Sequence, residues 1–153
     1  MLSFLFKKKK KEEKECVIDR FIDEHKVLVE LYVEILELAH SKEFKYLKDK
    51  LKQFEDILIK HINDEREIIY NQLHKVLEEA QDSILLKEIE QIKKDIIPIK
   101  KKINIINLKF REFNEKNIQD FIDAFSYLKE PILKRIEVEE KKLFVYFEKK
   151  AKR

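Results

Sequence analysis

The chain of 153 residues has no glycine, no tryptophan, two prolines and one cysteine. Each scarcity excludes something. Hairpins and tight turns lack their usual residues, so a strand-rich fold gives way to helices. The single Cys16 cannot close an intramolecular disulfide, which fits a reducing compartment and a cytoplasmic location. No phosphate loop, CxxC motif or nucleophile–base pair is present to support the usual catalytic classes.

What remains is rich in Lys, Glu, Ile and Leu, with 42% charged and 44% hydrophobic residues. That is enough apolar material for one long core in one domain. The net charge of +3 is unevenly spread. Residues 1–14 carry six Lys and two Glu, or +4, and Lys149, Lys150, Lys152 and Arg153 add another +4, so the remainder sums to −5. A mildly acidic fold with basic ends argues against a nucleic-acid partner, which would want the basic face on the fold itself. Residues 1–16 read as a flexible basic tail, 17–148 as a four-helix bundle and 149–153 as a second basic tail. The apolar start, MLSFLF, is far too short to span a bilayer. With Lys7–Lys11 behind it, it allows at most a weak contact with anionic lipid.

Apolar residues recur at steps of three and four in four stretches. The first helix is expected from about Val17 to His40, with the stripe Ile18, Phe21, Ile22, His25, Leu28, Val29, Tyr32, Ile35, Leu36 and Ala39. Ser41 is expected to cap the second helix, whose stripe runs Phe44, Leu47, Leu51, Phe54, Leu58, His61, Glu65, Ile68, Gln72 and then Val76 or Leu77. The third carries Leu85, Ile89, Ile92, Ile96, Ile99, Ile103, Ile106, Phe110 and Phe113, with Pro98 expected to kink it. A turn at 114–117 precedes the fourth, with Ile118, Phe121, Ile122, Phe125, Leu128, Ile132, Arg135, Glu139, Leu143 and Tyr146, and Pro131 expected to bend it.

The conflict lies inside these stripes. His25, the pair His61 and Glu65, and the pair Arg135 and Glu139 all occupy core positions. Buried ionisable groups are costly unless they are paired or bound to a metal. In antiparallel helices, residues equidistant from the turn stand level. His25 and His61 centre on position 43, and Ile89 and Arg135 on 112, both near expected turns. His61 and Ile89 centre on 75, so a shared layer requires the second helix to end near His74, with a loop within 74–83. The expectation is an all-α, antiparallel up-down-up-down four-helix bundle with one polar layer.

Glu24-His25-Lys26-Val27-Leu28 together with His61-Ile62-Asn63-Asp64-Glu65-Arg66-Glu67 resembles the hemerythrin-like HHE cation-binding domain family. The resemblance covers about residues 17–148. It implies a bundle of two repeats, each supplying one His from its first helix and an H-x-x-x-E pair from its second, around a non-haem di-iron centre bridged by the two Glu. The first repeat matches at His25, His61 and Glu65. The second is degenerate, with Ile89 and Arg135 where the family has His, and Glu139 kept.

The resemblance therefore leaves His25, His61, Glu65 and Glu139 as metal ligands. Two imidazoles and two carboxylates suit one first-row divalent ion, with iron favoured and zinc or manganese admissible. Arg135 cannot ligate metal, because its guanidinium stays protonated; it would stand as a cation where the second iron belongs, forked onto Glu65 or Glu139. The leading expectation is a binding protein, not an enzyme, holding one metal and able to meet dioxygen or nitric oxide or to sense redox state. Two others stay open. One is a metal-free interaction bundle in which Arg135, the two Glu and the two His satisfy one another. The other is an enzyme of the ferroxidase or peroxidase kind. His40, His74, Tyr32 and Tyr146 have ordinary explanations at helix ends or in the packing, and no protein partner is specified.

Overall fold

A computed structural model describes the backbone of residues 2–150 and the side chains of residues 17–150. The architecture is a bundle of four helices with no strand among the described residues. We number them α1 to α4. Helix α1 is Leu2–His40. Helix α2 covers 44–79, built of Phe44–Glu65, a π-helical turn Arg66–Tyr70 and Asn71–Glu79. Helix α3 covers 83–109 as Ser83–Lys94 and Ile97–Lys109. Helix α4 covers 118–150 as Ile118–Ser126, Lys129–Val138, a second π-helical turn Glu139–Leu143, and Phe144–Lys150. No helix among the described residues is long and apolar enough to cross a membrane. The tails expected over 1–16 and 149–153 fall largely outside the described side chains, as does Cys16.

The stripes expected on α1 and α3 are the ones buried. Ile18, Phe21, His25, Leu28, Tyr32, Ile35 and Ala39 face inward from α1, and Ile89, Ile92, Ile99, Ile103 and Ile106 from α3. The other two helices depart from expectation halfway along. Beyond Glu65 the buried residues of α2 are Ile69, Tyr70, Leu73 and Leu77, while Gln72 is exposed and Ile68 and Val76 are half-buried. Beyond Glu139, α4 buries Leu143, Phe144 and Phe147 and leaves Tyr146 half-buried. A π-helical turn inserts one residue and rotates everything after it. One such turn begins directly after the buried Glu65, the other at the buried Glu139.

The helix ends manage without glycine. Lys42 and Gln81 adopt φ of 59° and 56°, the left-handed conformation that glycine usually takes at such ends. Around them Glu43 N–H donates to the Leu38 carbonyl, and Asp82 N–H to the Leu77 carbonyl, closing α1 and α2 respectively. The expected capping role of Ser41 is corrected here. Its hydroxyl donates back to the Glu37 and Leu38 carbonyls, so it seals the end of α1, and α2 begins at Glu43 without a side-chain cap. Asn114 and Asn117 form the expected turn, bonding to each other's backbone. Pro98 lies at the start of the second half of α3, just past a break at Asp95–Ile96. The break in α4 falls at Tyr127–Leu128, before Pro131.

Two apolar clusters make the core. One gathers Tyr32, Ile35, Phe54, Ile103, Phe121 and Phe125; the other gathers Phe21, Ile69, Leu73, Ile89, Phe144 and Phe147. On α1, α2 and α4 the boundary between them is marked by His25, by His61 and Glu65, and by Arg135 and Glu139. These five are the buried imidazole and charged side chains among the described residues. On α3 the boundary falls between Ile92 and Ile99, at the broken turn. This corrects the expectation that Ile89 shares the layer: its side chain belongs to the second cluster. It also explains why α2 runs on to Glu79 rather than ending near His74. A layer that meets α3 later in the chain needs a later turn.

Candidate metal centre

Each ligand candidate is brought in by helical spacing. His61 and Glu65 lie four residues apart on α2, and Arg135 and Glu139 four apart on α4, so each pair projects from one face. His25 faces them from α1. Within the layer, His25 Nε2 lies 2.9 Å from Glu139 Oε1 and 3.1 Å from His61 Nε2. His61 Nε2 lies 3.3 Å from Glu139 Oε1 and 3.2 Å from Glu65 Oε2. One donor atom from each of the four residues falls within 4.8 Å of the others. Donors held about 2.1 Å from a single ion would stand roughly 3–4 Å apart.

The other half of each carboxylate faces elsewhere. Arg135 Nε donates to Glu139 Oε2 at 2.5 Å, and its Nη2 donates to Glu65 Oε1 at 3.3 Å. Nη2 also donates to the Tyr70 hydroxyl at 2.6 Å, and Nη1 to the Ile92 carbonyl at the edge of the α3 break. Glu65 and Glu139 are thus both divided between the imidazoles and the guanidinium. Outside the layer, Glu24 Oε1 lies 3.4 Å from His61 Nδ1, and Glu140 Oε2 lies 3.7 Å from His25 Nδ1.

The electrostatics follow from crowding two carboxylates into a dry core. Burial and the neighbouring Glu139 charge push Glu65 up to about 8. Glu139 moves the other way: burial opposes its charge, but the hydrogen bonds of His25 and His61 and the Arg135 charge hold it well below the usual carboxylate range. Burial alone would lower His61, yet Glu139 and Glu65 beside it raise it to about 10. His61 therefore holds a proton that a bound cation would displace. Burial keeps the Tyr70 phenol protonated by raising it far above its ordinary value.

The donor set could hold a metal ion. Two ring nitrogens and one oxygen from each Glu converge, and Glu65 Oε2 is buried with no hydrogen bond. Its neighbour there, His61 Nε2 at 3.2 Å, leaves the buried oxygen short of full satisfaction, and a cation in that position would supply it. Beside these donors lies the Arg135 guanidinium, which already donates to Glu65, Glu139, Tyr70 and Ile92.

All five residues singled out in the sequence come together here. Those given ordinary roles keep them. Tyr32 donates to the Phe125 carbonyl at 2.8 Å, His40 is exposed at the end of α1, and His74 lies near Glu78 and Glu90 at the surface. Tyr70 was missed. A readable signal lay in the spacing: 61, 65, 69, 73 and 77 are successive steps of four. An α-helix drifts around its axis at that spacing, and a π-helical turn corrects the drift.

A family model described as Hemerythrin HHE cation binding domain matches residues 16–147. The chain belongs to that family, and its layer of His25, His61, Glu65 and Glu139 could hold a metal ion, as a cation-binding domain requires. No curated protein and no solved structure matches the chain.

Proposed function

We propose that this chain is a binding protein holding one first-row divalent ion, iron in preference to zinc or manganese, with His25, His61, Glu65 and Glu139 as ligands. Arg135 takes the part of the second cation. The observation that carries the reading is the division of both carboxylates. One oxygen of each meets the imidazoles, and the other meets the guanidinium. A two-cation centre bridged by two Glu has this charge pattern, and here one of the cations is built into the chain.

A bound redox-active ion would supply electron exchange and an attachment point for a small ligand. The chain's own contribution is positioning. Glu24 hydrogen-bonds the outer nitrogen of His61, which orients that ring and strengthens its inner nitrogen as a ligand, while Glu140 stands 3.7 Å from the outer nitrogen of His25. Leu28, Leu58, Ile96, Ile99, Ile132 and Ile136 wall a cavity of about 30 Å³ beside the ligand atoms. A site of roughly 10–15 Å³ holds one water, so this space suits a diatomic such as nitric oxide or dioxygen. That favours small-ligand or redox sensing within a reducing, cytoplasmic setting.

A metal-free interaction bundle rests on a separate observation: Arg135 already pairs with both Glu. Elemental mass spectrometry separates the readings. Untagged protein from iron-supplemented medium should carry about one metal per chain, lost in His61→Ala. Two metals per chain, or none in either sample, would overturn the one-metal reading.

A further inference from the structure

Between α2 and α3 a pocket of about 330 Å³ opens to the surface, on the side of the layer away from the imidazoles. Two backbone irregularities border it. The π-helical turn Arg66–Tyr70 turns Tyr70 inward, and the break at Asp95–Ile96 interrupts α3 opposite. π-helical turns concentrate at functional sites.

The lining surface is mostly apolar, but its charged residues are mainly basic, with Arg66, Lys93, Lys94 and Lys100 among them. Like most described Lys and Arg, these four have no ion-pair partner among the described residues, whereas Lys42, Lys48, Lys60 and Lys141 do. Lys93 and Lys94 also close the last turn of Ser83–Lys94, where cations meet the helix dipole favourably. That accounts for two of them but not for Arg66 and Lys100, which come from separate segments and meet at the same opening. Two carboxylates share the pocket. Glu65 is tied to Arg135, and Glu90 lies 3.7 Å from His74. The positive charge is therefore in excess.

The floor supplies a directional donor. The Tyr70 oxygen accepts from Arg135, and its own proton has no acceptor among the described residues. The phenol stays protonated, so it can donate to a ligand oxygen. The uncapped start of Ile97–Lys109 adds the positive end of a helix dipole.

We propose that this pocket binds a small multivalent oxyanion, a phosphate or a polycarboxylate, held by Arg66, Lys93, Lys94 and Lys100, with the Tyr70 hydroxyl donating from the floor. The bounded volume favours a small molecule. The ligand would sit behind Arg135, opposite the metal ligands, and needs no bound metal.

The test uses chelator-treated full chain and two probes, inorganic phosphate and citrate, titrated by calorimetry at about 0.15 M salt. One probe should bind at a single site, more weakly as salt rises. K93Q/K100Q should weaken that binding by at least about tenfold, since it removes two of the four cations. Tyr70→Phe should weaken it severalfold while thermal unfolding confirms the fold. Phosphate binding alone or citrate binding alone assigns the class. No binding of either probe, or equal binding in K93Q/K100Q, would overturn the proposal. Metal content of K93Q/K100Q, measured separately, should match the wild type, so failure here leaves the metal reading standing and the reverse also holds.

Discussion

In the α1–α2 half of the bundle, His25, His61 and Glu65 reach the layer from continuous helix. In the α3–α4 half, the same level is met by a broken turn, Arg135 and Glu139. The backbones nonetheless echo each other, since a π-helical turn follows Glu65 in one half and begins at Glu139 in the other. The two halves share a backbone geometry and differ in the chemistry they bring to the layer, the second contributing a guanidinium. A guanidinium paired with both Glu supplies positive charge beside two buried carboxylates, and Glu139 meets imidazoles from the other half alone, His25 and His61.

The largest expected effect breaks the arginine side. Arg135→Met leaves Glu65 and Glu139 without their cation, and truncating one partner of a buried pair costs about 3–5 kcal/mol. Urea unfolding of the metal-free protein should show that loss; unchanged stability would mean the two Glu do not depend on Arg135. The next effect sharpens the imidazole side. Glu24→Gln should weaken metal binding by roughly 10–100-fold, because outer partners orient and polarise ligating imidazoles. Chelator competition measures it. Glu140→Gln should cost less, its oxygen standing farther from the ring at 3.7 Å; equal or no losses would remove the supporting role from both. The smallest effect lies outside the layer, at the turn that joins the two halves. Gln81→Gly should stabilise the fold by about 0.5–1 kcal/mol, the relief of left-handed strain less the added freedom of the unfolded chain. A lower melting temperature in that variant would contradict the assignment of strain to Gln81.

The same contrast between halves explains what could be read from the sequence. Five ionisable residues interrupt otherwise apolar stripes, so His25, His61, Glu65, Arg135 and Glu139 were legible as a layer before any coordinates. The helices and the starting phases of all four stripes followed from the three–four periodicity. The π-helical turns were not legible by that rule, because one inserted residue carries no composition of its own. That hid Tyr70 on α2 and exchanged Tyr146 for Phe144 and Phe147 on α4. The break in α3 misled in another way. Matching levels across the turns assumed a side chain from every helix, whereas α3 meets the layer with the Ile92 carbonyl. Ile89 was therefore placed too high and the end of α2 too early. Ser41 looked like an N-cap by residue type, but the left-handed Lys42 turns the chain so that its hydroxyl meets the helix behind it.

The central claim is that one cation of a former pair is a metal and the other is Arg135. Anomalous diffraction from crystals grown with ferrous or manganous ion tests it most directly. The account predicts one peak per chain, bonded by His25 Nε2, His61 Nε2, Glu65 Oε2 and Glu139 Oε1, with the Arg135 guanidinium still on the opposite oxygens of both Glu. Two peaks in the layer, or one peak with Arg135 swung away to make room for it, would contradict it.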